Sequence, residues 1–218
     1  MYVPDLRNHG KSFHTDTHNY QSMEGDVLHF ADTIGMSRLL ILGHSMGGKV
    51  AMEFALEHPE RTEALIIEDM VPGKTSPQFR RHLDLLMDID LQNIGSRRSA
   101  EEKLMSIIDD RLVVLFLLKN LKRGQDGLFS WKANISSLSK NYNVIWDELP
   151  PGRTWDGPVL VMRGGQSNIV ADERFEEIFD YFPRAKIVTI NESGHWIHSE
   201  AFSEFTQTVE EFLLEISH

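Results

Sequence analysis

Cysteine is absent from this chain of 218 residues. Its absence excludes disulfides, thiolate metal sites and a cysteine nucleophile. Long apolar runs are also lacking, because the longest, residues 112–118, is far shorter than the roughly 20 residues of a membrane-spanning helix. Basic residues are fewer than acidic ones, 22 against 33, and the net charge of −11 argues against nucleic acid or an anionic membrane as the main partner.

The first residues, Met1 to Asp5, carry no signal-peptide pattern. The composition is ordinary for a globular protein, with 41% hydrophobic and 25% charged residues. The length suffices for one sizeable hydrophobic core with room for a subdomain. Because a cysteine-free chain is compatible with a reducing compartment, we expect an intracellular protein.

A Gly-His-Ser-Met-Gly pentapeptide at residues 43–47 is the most informative motif of the sequence. It follows the apolar run 39–42, which has the pattern of a strand, and it opens a segment with apolar residues at every fourth position, Met46, Val50 and Phe54. A G-x-S-x-G sequence at a strand-to-helix turn is the nucleophile elbow of the α/β-hydrolases. Because a serine hydroxyl needs a forced geometry and a neighbouring base, this context favours Ser45 as a catalytic nucleophile.

Strand and helix patterns alternate along the chain, which is typical of a mostly parallel sheet covered by helices on both faces. The pattern predicts a short strand at Tyr2–Val3 and further strands at residues 39–42, 64–67, 159–162 and 186–190. Residues 72–155 are rich in charge and helix-patterned without clear strands, so we interpret them as an inserted helical cap. The predicted fold is therefore α/β, with a core formed by residues 1–71 and 156–218.

A serine nucleophile requires a general base, and histidine serves this role near neutral pH. His195 follows the predicted strand 186–190 through a loop of small residues and precedes the last helix pattern. Since catalytic groups of open α/β sheets gather at the carboxyl ends of strands, we predict that His195 is the base. His14 and His18 have i, i+4 spacing but lie in a loop rich in Asp and Asn, so no metal site is predicted.

The acid that orients the histidine has two candidates. In most proteins of this fold it follows the strand after the cap, but Ser167 occupies the expected position here. The nearest carboxylate, Asp172, comes several residues later and opens a helix pattern. Asp69 ends the strand after the elbow helix, also at a carboxyl end, whereas Glu68 alternates to the other side of that strand. Asp69 is the favoured acid by position, with Asp172 as the alternative.

Four segments together resemble one branch of the α/β-hydrolases. They are Asp-Leu-Arg-Asn-His-Gly-Lys-Ser at 5–12, the elbow with the following Gly-Lys at 43–49, Gly-Gly-Gln-Ser at 164–167 and Gly-His-Trp-Ile-His at 194–198. This branch holds abhydrolase domain-containing protein 11 and the YbfF-type esterases, and the similarity extends over essentially the whole chain. The resemblance implies a serine esterase or lipase that needs no cofactor.

The same resemblance assigns roles to particular residues. It implies a triad of Ser45, His195 and Asp69, with the Met46 N–H as one oxyanion-hole donor. It also implies small-molecule ester or acylglycerol substrates, notably diacylglycerol. The animal members of the branch imply a mitochondrial location, and otherwise we expect the cytoplasm. Neither the oligomeric state nor the particular ester follows from the sequence.

The chain also departs from the family pattern near its start. The Asp-x-Arg-x-x-Gly-x-Ser loop normally follows the fourth strand, yet it begins at Asp5 here. We therefore expect a sheet without the first three strands, an apolar edge at residues 39–42, and no second oxyanion donor. Loss of one such donor typically costs about 10²–10³ in rate. The expectation is weak or no esterase activity, and the alternative function is a catalytically impaired hydrolase that acts as a binding or regulatory protein.

Overall fold

The structure is a computed structural model that describes residues 1–75 and 80–217. The chain divides into two compact units. The sheet unit comprises Tyr20–Ser76 and Ile145–His218, and the helix-rich unit comprises Met1–Asn19 and Pro77–Val144. The predicted cap, residues 72–155, stays a prediction as a domain, and its residues 76–79 lie outside the described residues.

The secondary structure of the described residues follows the chain in this order. The strands are β1 (Leu39–His44), β2 (Thr62–Glu68), β3 (Leu121–Arg123), β4 (Phe129–Trp131), β5 (Val159–Gly164) and β6 (Ala185–Ile190). The helices are α1 (Tyr20–Thr33), α2 (Met46–Glu57), α3 (Arg80–Asp88), α4 (Arg97–Met105), α5 (Arg111–Lys119), α6 (Ile135–Lys140), α7 (Tyr142–Trp146), α8 (Phe175–Tyr181), α9 (Ile197–Glu200) and α10 (Phe202–Ile216). Short 3₁₀ turns lie at Pro59–Arg61, Leu91–Asn93 and Asp172–Arg174.

In the sheet unit, four parallel strands of the described chain pair in the order β1-β2-β5-β6. The internal strand β2 is apolar along most of its length because both of its faces are buried. Ala64 and Ile66 share a core with Phe212 of α10. Ile67 faces α2, since a side chain at Gly48 would meet its Cγ2 at 3.2 Å. Helices therefore cover both faces, which confirms the prediction of a parallel α/β sheet.

Of two predicted features of the strands, the structure contradicts one and agrees with the other. The predicted strand at Tyr2–Val3 is wrong, because both residues lie in irregular structure and are exposed, without the neighbouring strand that strand pairing requires. Strand β1 lies at one edge of the sheet and pairs with β2. Its residues Leu40 and Leu42 are 38% and 45% exposed, so the edge is apolar among the described residues.

The helix-rich unit has its own apolar core, with Leu104 and Val114 among its most buried residues. The sequence pattern shows no strands here, but β3 and β4 form a short antiparallel hairpin. Asp110 is the N-cap of α5. Its carboxylate accepts from the amides of Leu112 and Val113 at 2.8 and 3.2 Å. No helix among the described residues has the length and apolar character needed to cross a membrane.

Candidate active site

Ser45 lies in the tight turn between β1 and α2, with φ 53° and ψ −121°. A positive φ is rare for a residue with a side chain and marks a strained turn. The turn is held to the sheet because the Ser45 amide donates to the Glu68 carbonyl at 3.1 Å. Gly43 is required, since a Cβ there would lie 2.2 Å from the Gly47 oxygen. The predicted elbow motif therefore adopts a strained strand-to-helix turn.

Met46 is the first residue of α2. The first amides of a helix have no carbonyl acceptor within the helix, and they carry a partial positive charge. The amide of Met46 follows Ser45 directly, so an oxygen bound at Ser45 would meet it first. Its role as an oxyanion donor stays a prediction.

The structure brings His195 and Asp69 together. His195 Nδ1 lies 2.8 Å from Asp69 Oδ2, in a loop that follows β6. Asp69 is fully buried and has φ 47°, and its amide donates to the Met162 carbonyl of β5 at 2.8 Å. A buried carboxylate in so fixed a backbone is suited to hold an imidazole in one orientation.

Further donors compensate the buried charge of Asp69. The Gly164 amide donates to Oδ1 at 3.2 Å, and the Ser167 hydroxyl donates to Oδ2 at 2.5 Å. Hydrogen bonds to a carboxylate are stronger than those between neutral groups, and they repay part of the desolvation cost of burial. Sequence reasoning identified Ser167 only as the residue in the usual place of the acid. The structure shows that its hydroxyl contacts the carboxylate on the neighbouring strand.

Asp172, the alternative acid, lies in a different environment. Its carboxylate is 76% exposed and forms an ion pair with Arg163, a residue near the end of β5. An exposed carboxylate bound to a guanidinium contributes little to the orientation of a histidine elsewhere. The geometry therefore pairs His195 with Asp69 rather than with Asp172.

His44 of the elbow contacts the loop of His195, which sequence reasoning missed. Its Nε2–H donates to the His195 carbonyl at 2.8 Å, and the two ring centroids are 4.5 Å apart. Burial lowers the pKa of His44 to about 4, against a smaller raising effect of the Glu68 carboxylate. His44 is therefore neutral near pH 7 and supports the backbone beside the candidate base.

Glu68 and His198 form a second carboxylate–histidine pair. Glu68 is 1% exposed and accepts from the His198 amide and from its Nδ1, both at 2.8 Å. His198 is thus a hydrogen-bonding residue of the segment after His195.

His44, Glu68 and His198 are also the residues of the described chain whose donor atoms could hold a metal ion, since these atoms lie within 4.8 Å of one another. Two ligands of a tetrahedral zinc ion are separated by about 3.3 Å. The 2.8 Å hydrogen bond between Glu68 and His198 is shorter, so an ion would have to displace it.

Comparison with known proteins supplies the family. A family model described as alpha/beta hydrolase fold matches residues 1–202. The chain belongs to the α/β-hydrolase family. It is 34% identical to the "sn-1-specific diacylglycerol lipase ABHD11" of Danio rerio over 215 residues, covering 96% of this chain and 68% of the relative.

Two further relatives of this α/β-hydrolase are named esterases. It is 28% identical to "Esterase YbfF" of Escherichia coli, with 96% of this chain and 80% of the relative covered. The solved structure of a "Marine microorganism esterase" has a TM-score of 0.91 and 38% identity, over 95% of this chain and 82% of the other. The predicted branch of the family is thereby confirmed, and the relatives support ester hydrolysis as the class of reaction.

Proposed function

We propose that this chain is a serine hydrolase that cleaves carboxylic esters through Ser45, His195 and Asp69. The observation that carries the proposal is the hydrogen bond between His195 and the buried carboxylate of Asp69, at the carboxyl ends of the strands. The strained turn with Ser45 also lies at the carboxyl ends of the strands. It directly follows His44, the last residue of β1, which pairs with Glu68 at the end of β2. Catalytic groups of parallel sheets gather at the carboxyl ends of the strands.

The proposed reaction is acyl transfer in two steps. Ser45 Oγ attacks the ester carbonyl while His195 Nε2 takes its proton, and the Met46 N–H donates to the developing oxyanion. The C–O bond of the ester breaks, and His195 returns the proton to the departing alcohol. Water then attacks the acyl-serine with the same proton transfers, which releases the carboxylic acid. Asp69 accepts from Nδ1 throughout and stabilises the imidazolium.

Acylglycerols are the proposed substrate class. Relatives named as sn-1-specific diacylglycerol lipases are 32–34% identical to this chain, which supports a glycerol ester as the substrate class. The mitochondrial location expected from the family resemblance stays a prediction.

Hydrolysis of p-nitrophenyl butyrate and of a 1,2-diacylglycerol by the purified chain tests the proposal. We expect weak turnover of both esters, since the sequence predicts no second oxyanion donor, and a loss of at least about 10³-fold in kcat for Ser45→Ala because that change removes the proposed nucleophile. Ser199→Ala, an exposed serine in α9, is the matched control and should retain activity. Turnover that Ser45→Ala leaves unchanged would contradict the proposal. Binding of the lipid without any turnover would instead support the alternative of an impaired hydrolase with a binding role.

A further inference from the structure

The backbone around His195 is bound by the side chain of a residue that follows it in the chain. Glu200 Oε2 accepts from the Gly194 amide at 2.8 Å, and Oε1 accepts from the Trp196 amide at 3.1 Å. The two amides flank His195 on either side. One carboxylate therefore binds the Ser193–Gly194 and the His195–Trp196 peptide groups, before and after the candidate base.

Close packing accompanies these hydrogen bonds. A Cβ on Gly194 would lie 3.3 Å from Oε2 and 3.5 Å from Oε1 of Glu200, so the carboxylate rests directly on the loop. Helix α9 is a single turn, and the Glu200 amide donates to the Trp196 carbonyl at 2.9 Å. The amide and the side chain of Glu200 thus both bind Trp196, the residue before α9. The side-chain contact resembles that of a capping box, in which a glutamate accepts from the amide of the N-cap residue.

The opposite side of the loop is bound by β1. His44 Nε2–H donates to the His195 carbonyl at 2.8 Å. The loop also lies against β5, because a Cβ on Gly164 would be 2.0 Å from the Gly194 oxygen. These contacts bind the Ser193–Gly194 and His195–Trp196 peptide groups on either side of the His195 side chain, so they restrict the backbone from which the imidazole extends.

We infer that Glu200 is a positioning residue for His195: its carboxylate, bound to the Gly194 and Trp196 amides, holds the loop so that Nδ1 meets Asp69. Charge-assisted hydrogen bonds donated to a carboxylate are about twice as strong as neutral ones, which suits this role even at an exposed position. A small misplacement of a catalytic group costs rate without loss of the fold. The effect on rate rests on the proposed function, whereas the effect on His195 geometry does not.

Proton NMR of the full chain tests the geometry directly. A proton shared between an imidazole nitrogen and a buried carboxylate resonates far downfield of the amide region, and it is lost when the pair opens to water. We expect this signal in the wild type and its absence in Asp69→Asn, which assigns it. Glu200→Ala should lose or broaden the signal at a temperature where circular dichroism shows the chain folded. Glu200→Gln, which keeps one acceptor oxygen, should give an intermediate result.

Kinetics with p-nitrophenyl butyrate supply the second measurement. We expect kcat to fall about 10- to 100-fold in Glu200→Ala and less in Glu200→Gln, with KM changed by less than about twofold. Glu192→Gln, an exposed carboxylate in the same loop, is the matched control and should match the wild type in signal and kcat.

The outcomes separate the two claims. An unchanged downfield signal in folded Glu200→Gln and Glu200→Ala would overturn the inference. If Glu200→Ala does not fold, an unchanged signal in Glu200→Gln is sufficient to overturn it. If the wild type and Glu192→Gln hydrolyse no ester, the proposed function fails, but loss of the signal on Glu200 substitution still supports the positioning role.

Discussion

The end of β2 presents two neighbouring carboxylates, and each is paired with a histidine of the segment after β6. Asp69 is fully buried and paired with His195, whose side chain is 15% exposed. Glu68 is almost as buried, but its partner His198 is 42% exposed. Both acids are thus buried, and the pairs differ in their histidines, since the His195 side chain is much less exposed than that of His198.

The backbone position of each acid explains why Glu68 and Asp69, although adjacent, contact different parts of the chain. Glu68 is the last residue of β2, and it also accepts from the His198 amide, so it stabilises the start of α9. Asp69 follows the strand with a positive φ, which directs it toward the end of β5 and the Ser167 hydroxyl. We interpret the Asp69 pair as catalytic and the Glu68 pair as structural.

Replacing each of the two carboxylates, Asp69 and Glu68, by its amide should give the largest difference in kcat between two variants. Asp69→Asn should lower kcat by about 10³–10⁴-fold, because an amide favours the wrong tautomer of His195. Glu68→Gln should change kcat by less than about threefold. Steady-state hydrolysis of p-nitrophenyl butyrate measures both, and equal losses in the two variants would show that the distinction between the pairs is wrong.

Removal of the whole Glu68 side chain should appear in stability instead. Glu68→Ala leaves the His198 amide and Nδ1 without their acceptor, so we expect the free energy of unfolding to fall by about 1–3 kcal/mol. Urea denaturation followed by circular dichroism gives this value. Glu63→Ala, an exposed residue of the same strand, serves as control and should lie within about 0.5 kcal/mol of the wild type. A Glu68→Ala variant as stable as the control would refute the structural role.

His44, which contacts His195 and also faces Glu68 and His198, should make stability depend on pH. Burial lowers its pKa to about 4 in the folded chain, below the ordinary value of 6.5 in the unfolded chain. The unfolded state therefore binds more protons between these values, so the stability present above pH 6.5 is lost as the pH falls toward 4.

Between pH 7 and pH 5 this histidine should contribute a loss of about 1–2 kcal/mol, which His44→Gln abolishes. Urea denaturation at both pH values measures the difference, with the exposed His29→Gln as control. The same pH dependence in wild type and His44→Gln would contradict the assignment.

The smallest expected effect concerns the hydrogen bond that the Ser167 hydroxyl donates to Asp69. Ser167→Ala removes one hydrogen bond from Asp69 while His195 and Gly164 still donate, so kcat should fall about fivefold, equivalent to about 1 kcal/mol. Hydrolysis rates under saturating ester measure it. A loss as large as that of Asp69→Asn would show that Ser167, rather than the backbone, determines the position of the acid.

Much of the arrangement of the candidate site could be predicted, because local pattern and topology determine where its residues lie. The strand–turn–helix pattern around Ser45 and the position of His195 after a strand require only the order of elements along the chain. Asp69 could be favoured for the same reason, since the carboxyl ends of parallel strands meet at one edge. The parallel sheet itself followed from apolar runs such as residues 159–162.

Other contacts could not be predicted because they depend on side-chain directions between distant segments. Ser167 and Asp69 are separated by 98 positions, and neither local sequence predicts the hydrogen bond between their side chains. The strand at Tyr2–Val3 was predicted from β propensity, but pairing with a neighbour decides whether a strand forms. The β3–β4 hairpin was missed because three-residue strands are too short for a period of two to be visible.

The most direct test of the central claim is labelling by a fluorophosphonate, followed by mass spectrometry of the modified peptide. The reagent needs an activated serine and no particular ester. The account predicts an adduct on Ser45 that forms rapidly in the wild type, far more slowly in His195→Ala and Asp69→Asn, and not in Ser45→Ala. An adduct at another residue, or labelling of Ser45 at the same rate in His195→Ala, would contradict it.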